Sequence, residues 1–254
     1  MISLLRGEWF QVRKAFSVKI TFIITIIYCI FAEVDALDYY RTENMQDMLT
    51  MGGITCNLMA DTAMCFVYAS MFAGLMIGSA FENRTIQGEI CSGKKRHNVY
   101  MAKVLMYILV VAVMDLACWL SGGLFIYGKY GIGTPELIGN LSKPEYLIGV
   151  IAAGLLAYMS MTAVCGMLGF LIRRTGAVMG VCFSIIAFGG TMMVNILPDK
   201  AAKYIKYTPL YLPQNVLKYD VVWRDILKTS VISLIWIVVI LGFGMWRFCK
   251  AELK

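Results

Sequence analysis

A chain of 254 residues that is 59% hydrophobic and only 15% charged does not fold as a water-soluble globule, since an average soluble domain is about 25% charged. Its mean hydropathy of +0.71 implies more apolar surface than an interior of this size hides, so the chain is an integral membrane protein. The net charge of +7 does not point to nucleic acid, because the cations cluster at the ends of apolar stretches, as topology signals do.

At the N-terminus, Ile2, Leu5, Trp9, Val12 and Phe16 recur at helical spacing, with Arg6, Arg13 and Lys14 mostly off that face. The pattern predicts a helix over 1–16 lying in the membrane interface, with Trp9 at headgroup level; a frayed basic leader is the plainer alternative. Glu8 and the lack of a small-x-small site after Ile30 argue against a cleaved signal peptide.

Six apolar stretches long enough to span follow: 17–32, 62–81, 100–128, 146–172, 175–197 and 229–246. The expected fold is therefore an all-α integral membrane protein with six transmembrane helices in one domain, 1–254. Between the first two spans, 33–61 is acidic and polar, and reads as external. The segment 198–228 carries Pro198, Pro209 and Pro213 among Tyr204, Tyr207, Tyr211, Tyr219 and Trp223. It reads as short helices dipping into the outer leaflet, or as an aromatic surface loop. Both termini should be cytoplasmic in the cell membrane. The N-terminus, the 82–103 loop, Arg173–Arg174 and the tail hold most of the Lys and Arg, although Lys200, Lys203, Lys206 and Lys218 fall on the opposite side.

Chemistry-bearing patterns are few. The eight cysteines form no CxxC pair, and His97 is the single histidine, so no metal site is expected. Gly88–Lys95 nearly spells a phosphate-binding loop, but Lys95 stands where a hydroxyl belongs and no strand precedes it. The chain is expected to bind no cofactor, to be no enzyme, and to have no ATPase of its own. Asp115 interrupts the third span at a cost of about 2.5–3.5 kcal/mol. It reads either as a structural hydrogen-bond partner for Ser121, Thr162 or Asn195, or, with Asn195, as part of a substrate path. Gly74-xxx-Gly78 and Gly176-xxx-Gly180 permit close helix approach, within the chain or between copies.

The most informative segment is the polar 82–98 run between the second and third spans. Glu82-Asn83-Arg84-Thr85-Ile86, Gly93-Lys94-Lys95-Arg96 and Tyr100-Met101-Ala102-Lys103-Val104-Leu105 together resemble the coupling stretch of ABC-2 type exporter permeases, and Tyr207-Thr208-Pro209-Leu210 resembles that family's segment before the last span. A glycine normally precedes the threonine in that pattern, where this chain has Arg84. The resemblance implies an N-terminal interfacial "elbow" helix, a cytoplasmic coupling helix over 82–98 and short external helices before the last span. It also implies two copies of a cytoplasmic ABC ATPase that hold ATP and magnesium, and a second permease copy or a paralogue. The implied cargo is amphipathic, such as a bacteriocin, lantibiotic or toxin peptide. The coupling residues would be Glu82, Arg84, Thr85, Ile86, Glu89, Lys94, Lys95 and Arg96. Glu82 and Glu89 would pair with basic residues of the ATPase, and Lys94–Arg96 with its acids or with anionic lipid. A proton-coupled transporter using Asp115 and a non-transporting sensor or assembly subunit are the alternatives.

Overall fold

In the computed structural model the described residues are 2–189 and 204–251, and among them there is no strand. Helix α1 (Ile2–Lys14) is followed after one residue by α2 (Phe16–Thr42). Helices α3 (Met51–Ala60) and α4 (Thr62–Ala73) meet at Asp61. A π-helical turn, Gly74–Gly78, continues into α5 (Ser79–Glu82), and then comes α6 (Thr85–Cys91). The long α7 (Arg96–Tyr130), the short α8 (Pro135–Ile138), α9 (Pro144–Ile172), α10 (Thr175–Gly189) and α11 (Trp223–Lys250) complete the order.

Among the described residues, five helices are long and apolar enough to cross a membrane: Phe16–Thr42, Met64–Glu82, Arg96–Tyr130, Pro144–Ile172 and Trp223–Lys250. The expected fifth span, 175–197, begins as the apolar α10, and its remainder, Asn195 included, lies outside the described residues. The core lies between α9, α7, α4 and α3, with α11 along α9 and α10 along α4.

The first span departs most from expectation. Instead of ending at 32, α2 runs to Thr42. Its buried stripe, Val18, Thr21, Thr25, Cys29, Glu33, Leu37 and Tyr40, keeps helical spacing throughout. Glu33 occupies a core position in that stripe, so a hydropathy count stops about three turns before the helix ends. The segment after it is not a free external loop either. Helix α3 turns inward, and Gly52, Gly53, Ile54, Thr55, Cys56 and Met59 are buried. Thr50 caps it, accepting from the Gly53 amide at 3.0 Å, and the Met51 and Gly52 amides donate to the Gly131 and Ile132 carbonyls. A Cβ on Gly53 would stand 2.2 Å from the Asp47 carbonyl oxygen, so only glycine fits there. Two adjacent glycines with Thr55 and Asn57 read as loop in sequence, whereas here they are what allow close packing.

The described part of the expected 198–228 segment is a packed cap. Leu212, Val216 and Val221 are fully buried, the Asn140 side-chain amide donates to the Val221 carbonyl at 3.0 Å, and Trp236 Nε1 donates to the Tyr207 carbonyl at 2.8 Å.

The two small-residue pairs behave differently. Gly74 and Gly78 lie against α10, where a Cβ on Gly78 would come within 2.8 Å of the Thr175 Cα. Around Gly176 and Gly180 the corresponding space is open. Overpacking a close backbone approach costs about 1–3 kcal/mol. Gly78→Ala should therefore lower the melting temperature of the purified chain in detergent, while Gly180→Ala should leave it unchanged.

Candidate functional site

The expected coupling residues collect at one end of the bundle, where α1, α5, α6, the start of α7, the α9–α10 turn and the end of α11 meet. Glu82 ends α5 and points across to α10. Its two carboxylate oxygens accept from the Thr175 amide at 2.9 Å and the Thr175 hydroxyl at 2.7 Å. A carboxylate at a helix N-terminus is held by both the open amides and the helix dipole. Glu82 thus closes the start of α10 from an exposed position.

Between α5 and α6 the chain reverses at Arg84, with φ 55° and ψ 19°. This left-handed conformation costs a side-chain-bearing residue about 1–2 kcal/mol and costs glycine nothing. It is the position where the resembling pattern carries glycine, so the departure in sequence leaves the backbone geometry in place. Thr85 fixes the turn by donating from its hydroxyl to the Ala80 carbonyl at 2.9 Å, and Ile86 is fully buried. Helix α6 is therefore anchored by one apolar side chain while Arg84, Gly88, Ser92, Lys94 and Lys95 remain exposed. Gly88 lies within α6, so Gly88–Lys95 is not a phosphate-binding loop.

The second carboxylate, Glu89, turns inward. Lys103, one side of whose α7 turn faces both α1 and α6, is 2% exposed. Its ammonium lies 2.5 Å from Glu8 Oε1 and 3.4 Å from Glu89 Oε1. Glu8 is 6% exposed, and with Leu4 it forms the buried face of α1. The expected apolar face of that helix, Ile2 and Trp9 above all, points outward, as do Arg13 and Lys14. One cation on α7 thus holds α1 and α6 together. Sequence reading missed both Lys103 and Glu8 as a pair, since nothing local links residues so far apart.

Arg96 ties down the other side of the site. Its guanidinium donates to the Cys249 carbonyl at 3.1 Å and the Ala251 carbonyl at 2.8 Å, satisfying the end of α11. Below this layer, Tyr100 and Phe170 rings lie 4.5 Å apart, and Phe81 and Phe248 close the cluster. The Arg173 guanidinium sits 5.6 Å from the Phe81 ring. Rings from four spans therefore pack together, the three phenylalanines edge to face and Tyr100 tilted against them. Beside α6 a cleft of about 530 Å³ opens toward α1, lined by small polar residues including Ser3, Gly7, Asn83, Gly88 and Ser92.

Asp115 belongs to a separate place, midway along α7. It is 1% exposed, and Tyr68 of α4 donates its hydroxyl to Asp115 Oδ1. Its other oxygen is buried without a hydrogen-bond partner. Of the partners anticipated for it, Ser121 donates instead to the Cys118 carbonyl and lies 3.5 Å from Glu33, and Asn195 lies outside the described residues. Tyr68 and Glu33 were both invisible in sequence as partners of this interior.

Breaking a buried ion pair costs about 3–5 kcal/mol. Lys103→Met should destabilise the chain by that order and open α1 to trypsin at Arg13 and Lys14; unaltered cleavage would count against the latch. Burial raises the Glu8 carboxyl above its ordinary 4.5, against the pull of Lys103. The folded chain then keeps the Glu8 proton over a pH range where the unfolded chain has lost it, so this stabilisation is full below 4.5 and fades as pH rises through the folded value. Glu8→Gln should flatten that decline in a pH series of melting curves. Arg84→Gly should hold or raise thermal stability, and Arg84→Val should lower it by about 1–2 kcal/mol.

The family model for ABC-2 family transporter proteins matches residues 32–247. That match takes in the coupling residues, Lys103 and Asp115, and leaves outside it α1, the first part of α2 and the last few residues. A comparison with curated proteins finds none that matches. With most of its length matched, this chain belongs to the ABC-2 transporter family, multi-pass membrane proteins without an ATPase site that normally work with a cytoplasmic ABC ATPase.

Proposed function

We propose that this chain is the transmembrane permease subunit of an ATP-driven exporter, moving an amphipathic substrate, such as a bacteriocin or toxin peptide, out through the cell membrane. The observation that carries the reading is α6. It is a short helix between two membrane spans, fixed from beneath by Ile86 and the Lys103–Glu89 pair, with Arg84, Gly88, Ser92, Lys94 and Lys95 turned outward. Such a helix seats in a groove of an ATPase and passes on its closure as a rigid-body displacement. The ATPase is supplied as two copies with their ATP and magnesium.

In this reading α1 is the elbow helix, α10 begins a sixth span, and both termini are cytoplasmic. The open face around Gly176 and Gly180 is suited to a second permease, identical or paralogous. A methionine-rich bundle with long exposed apolar faces suits a cargo that enters from the lipid. One observation favours a second reading. Asp115 is a buried acid with no ion pair among the described residues, which is what a proton-linked step would use.

The test is affinity purification from native membranes, with mass spectrometry of what accompanies the chain. A stoichiometric P-loop ATPase is expected, and the charge-reversed R84E/K94E/K95E chain, which leaves every buried contact intact, should lose it at unchanged melting temperature. A preparation without an ATPase, even after cross-linking, would sink the reading. Asp115→Asn should retain ATP-driven transport, because the amide still accepts from Tyr68; abolition of transport would move the proton-linked reading forward.

A further inference from the structure

Where α1, α2 and α7 converge on the outer surface of the bundle, a groove of about 430 Å³ opens toward the surrounding medium. Val12 of α1, Phe22 and Ile23 of α2, and Leu109 and Val113 of α7 form its walls. Its polar residues are Arg13 and Lys19, which stand at one end, beside Trp9. Both cations are exposed, and neither takes part in a salt bridge among the described residues. The acid of α1, Glu8, is already paired with Lys103.

Depth fits the surroundings. From the level of Lys103, which marks α1, to Val113 is about 15 Å at 1.5 Å per residue, half of a bilayer's hydrocarbon thickness of about 30 Å. The groove therefore runs from headgroup level to near the midplane. A helix is about 10–12 Å across and would seat only one face in such a groove. One flexible chain fits. Two unopposed cations at the mouth select an anion, and Arg13 presents the planar fork that binds phosphate oxygens two at a time. A headgroup carrying its own ammonium would meet both cations with no carboxylate free to receive it.

We propose that this groove is a binding site for one anionic glycerophospholipid, with its phosphate between Arg13 and Lys19 and one acyl chain along Phe22, Ile23, Leu109 and Val113. The site lies on the lipid side of the helix whose other face is latched to α6, and it does not depend on what drives the chain.

The experiment is native mass spectrometry of the full chain released from nanodiscs of equal phosphatidylglycerol and phosphatidylcholine. The wild-type chain should retain one phosphatidylglycerol in preference to phosphatidylcholine. R13Q/K19Q should lower that preference about 5- to 30-fold. The charge-matched R6Q/K14Q, which removes two exposed cations of the same helix outside the groove, should keep it. Val113→Trp, filling the groove from an exposed position, should release the retained lipid whatever its headgroup. Equal loss in R6Q/K14Q would overturn the site in favour of diffuse attraction to an anionic surface. Equal retention of phosphatidylcholine by the wild-type chain, or a photo-cross-link from Ile23 to a second copy instead of to lipid, would overturn it as well.

Discussion

The Lys103 ammonium sits where only 2% of its side chain meets solvent, and two carboxylates follow it there, Glu8 from α1 and Glu89 from α6. Removing three charged groups from water is costly, and only mutual attraction at short range offsets it. The three helices therefore cannot separate individually without stranding a charge. This constraint decides how the end of the bundle is built. Helix α1 lies with its acid inward and its tryptophan outward. Helix α6 is fixed in height and rotation relative to α7, and what remains for a partner is its outer surface of Arg84, Lys94 and Lys95.

The same economy of charge runs through the site. Glu82 satisfies the start of α10, and Arg96 satisfies the end of α11. Here helix ends are closed by side chains from other helices. The aromatic cluster of Phe81, Tyr100, Phe170 and Phe248 fills the space between those closures. The result is a stiff plate at the end of the bundle, made of residues from four spans.

How much of this was legible in the sequence differs by element. Hydropathy and cation placement located the long apolar helices and the polar break at 82–98, because those signals are local and additive. The end of α2 was not legible, since Glu33 sits in a buried stripe and an acid there reads as the end of a span. Helix α3 was not legible, since its glycines signal a turn until the Asp47 carbonyl is seen against Gly53. Arg84 was legible only as a departure from a pattern, and its φ of 55° gives that departure a physical meaning. Glu82 and Glu89 were read as outward-facing because short-range sequence shows charge without direction. Their partners, Thr175 for the exposed Glu82 and Lys103 for the inward-turned Glu89, are contacts made by the tertiary fold. The oxygen acceptor of Tyr68, Asp115, was recognisable as an anomaly, but its partner lies on another helix.

Helix α7 spans Arg96–Tyr130, 35 residues, or about 52 Å against a hydrocarbon core of about 30 Å. One end carries Arg96 and Lys103, and the other is bonded through Gly131 to the Met51 amide and through Tyr130 to Arg41. A rod of that length behaves as a see-saw. Tilting it by about 5° about its centre carries each tip roughly 2 Å in opposite directions. Bilayer thickness then becomes a mechanical load on the protein, because it sets how steeply α7 rests and how much of its swing remains available.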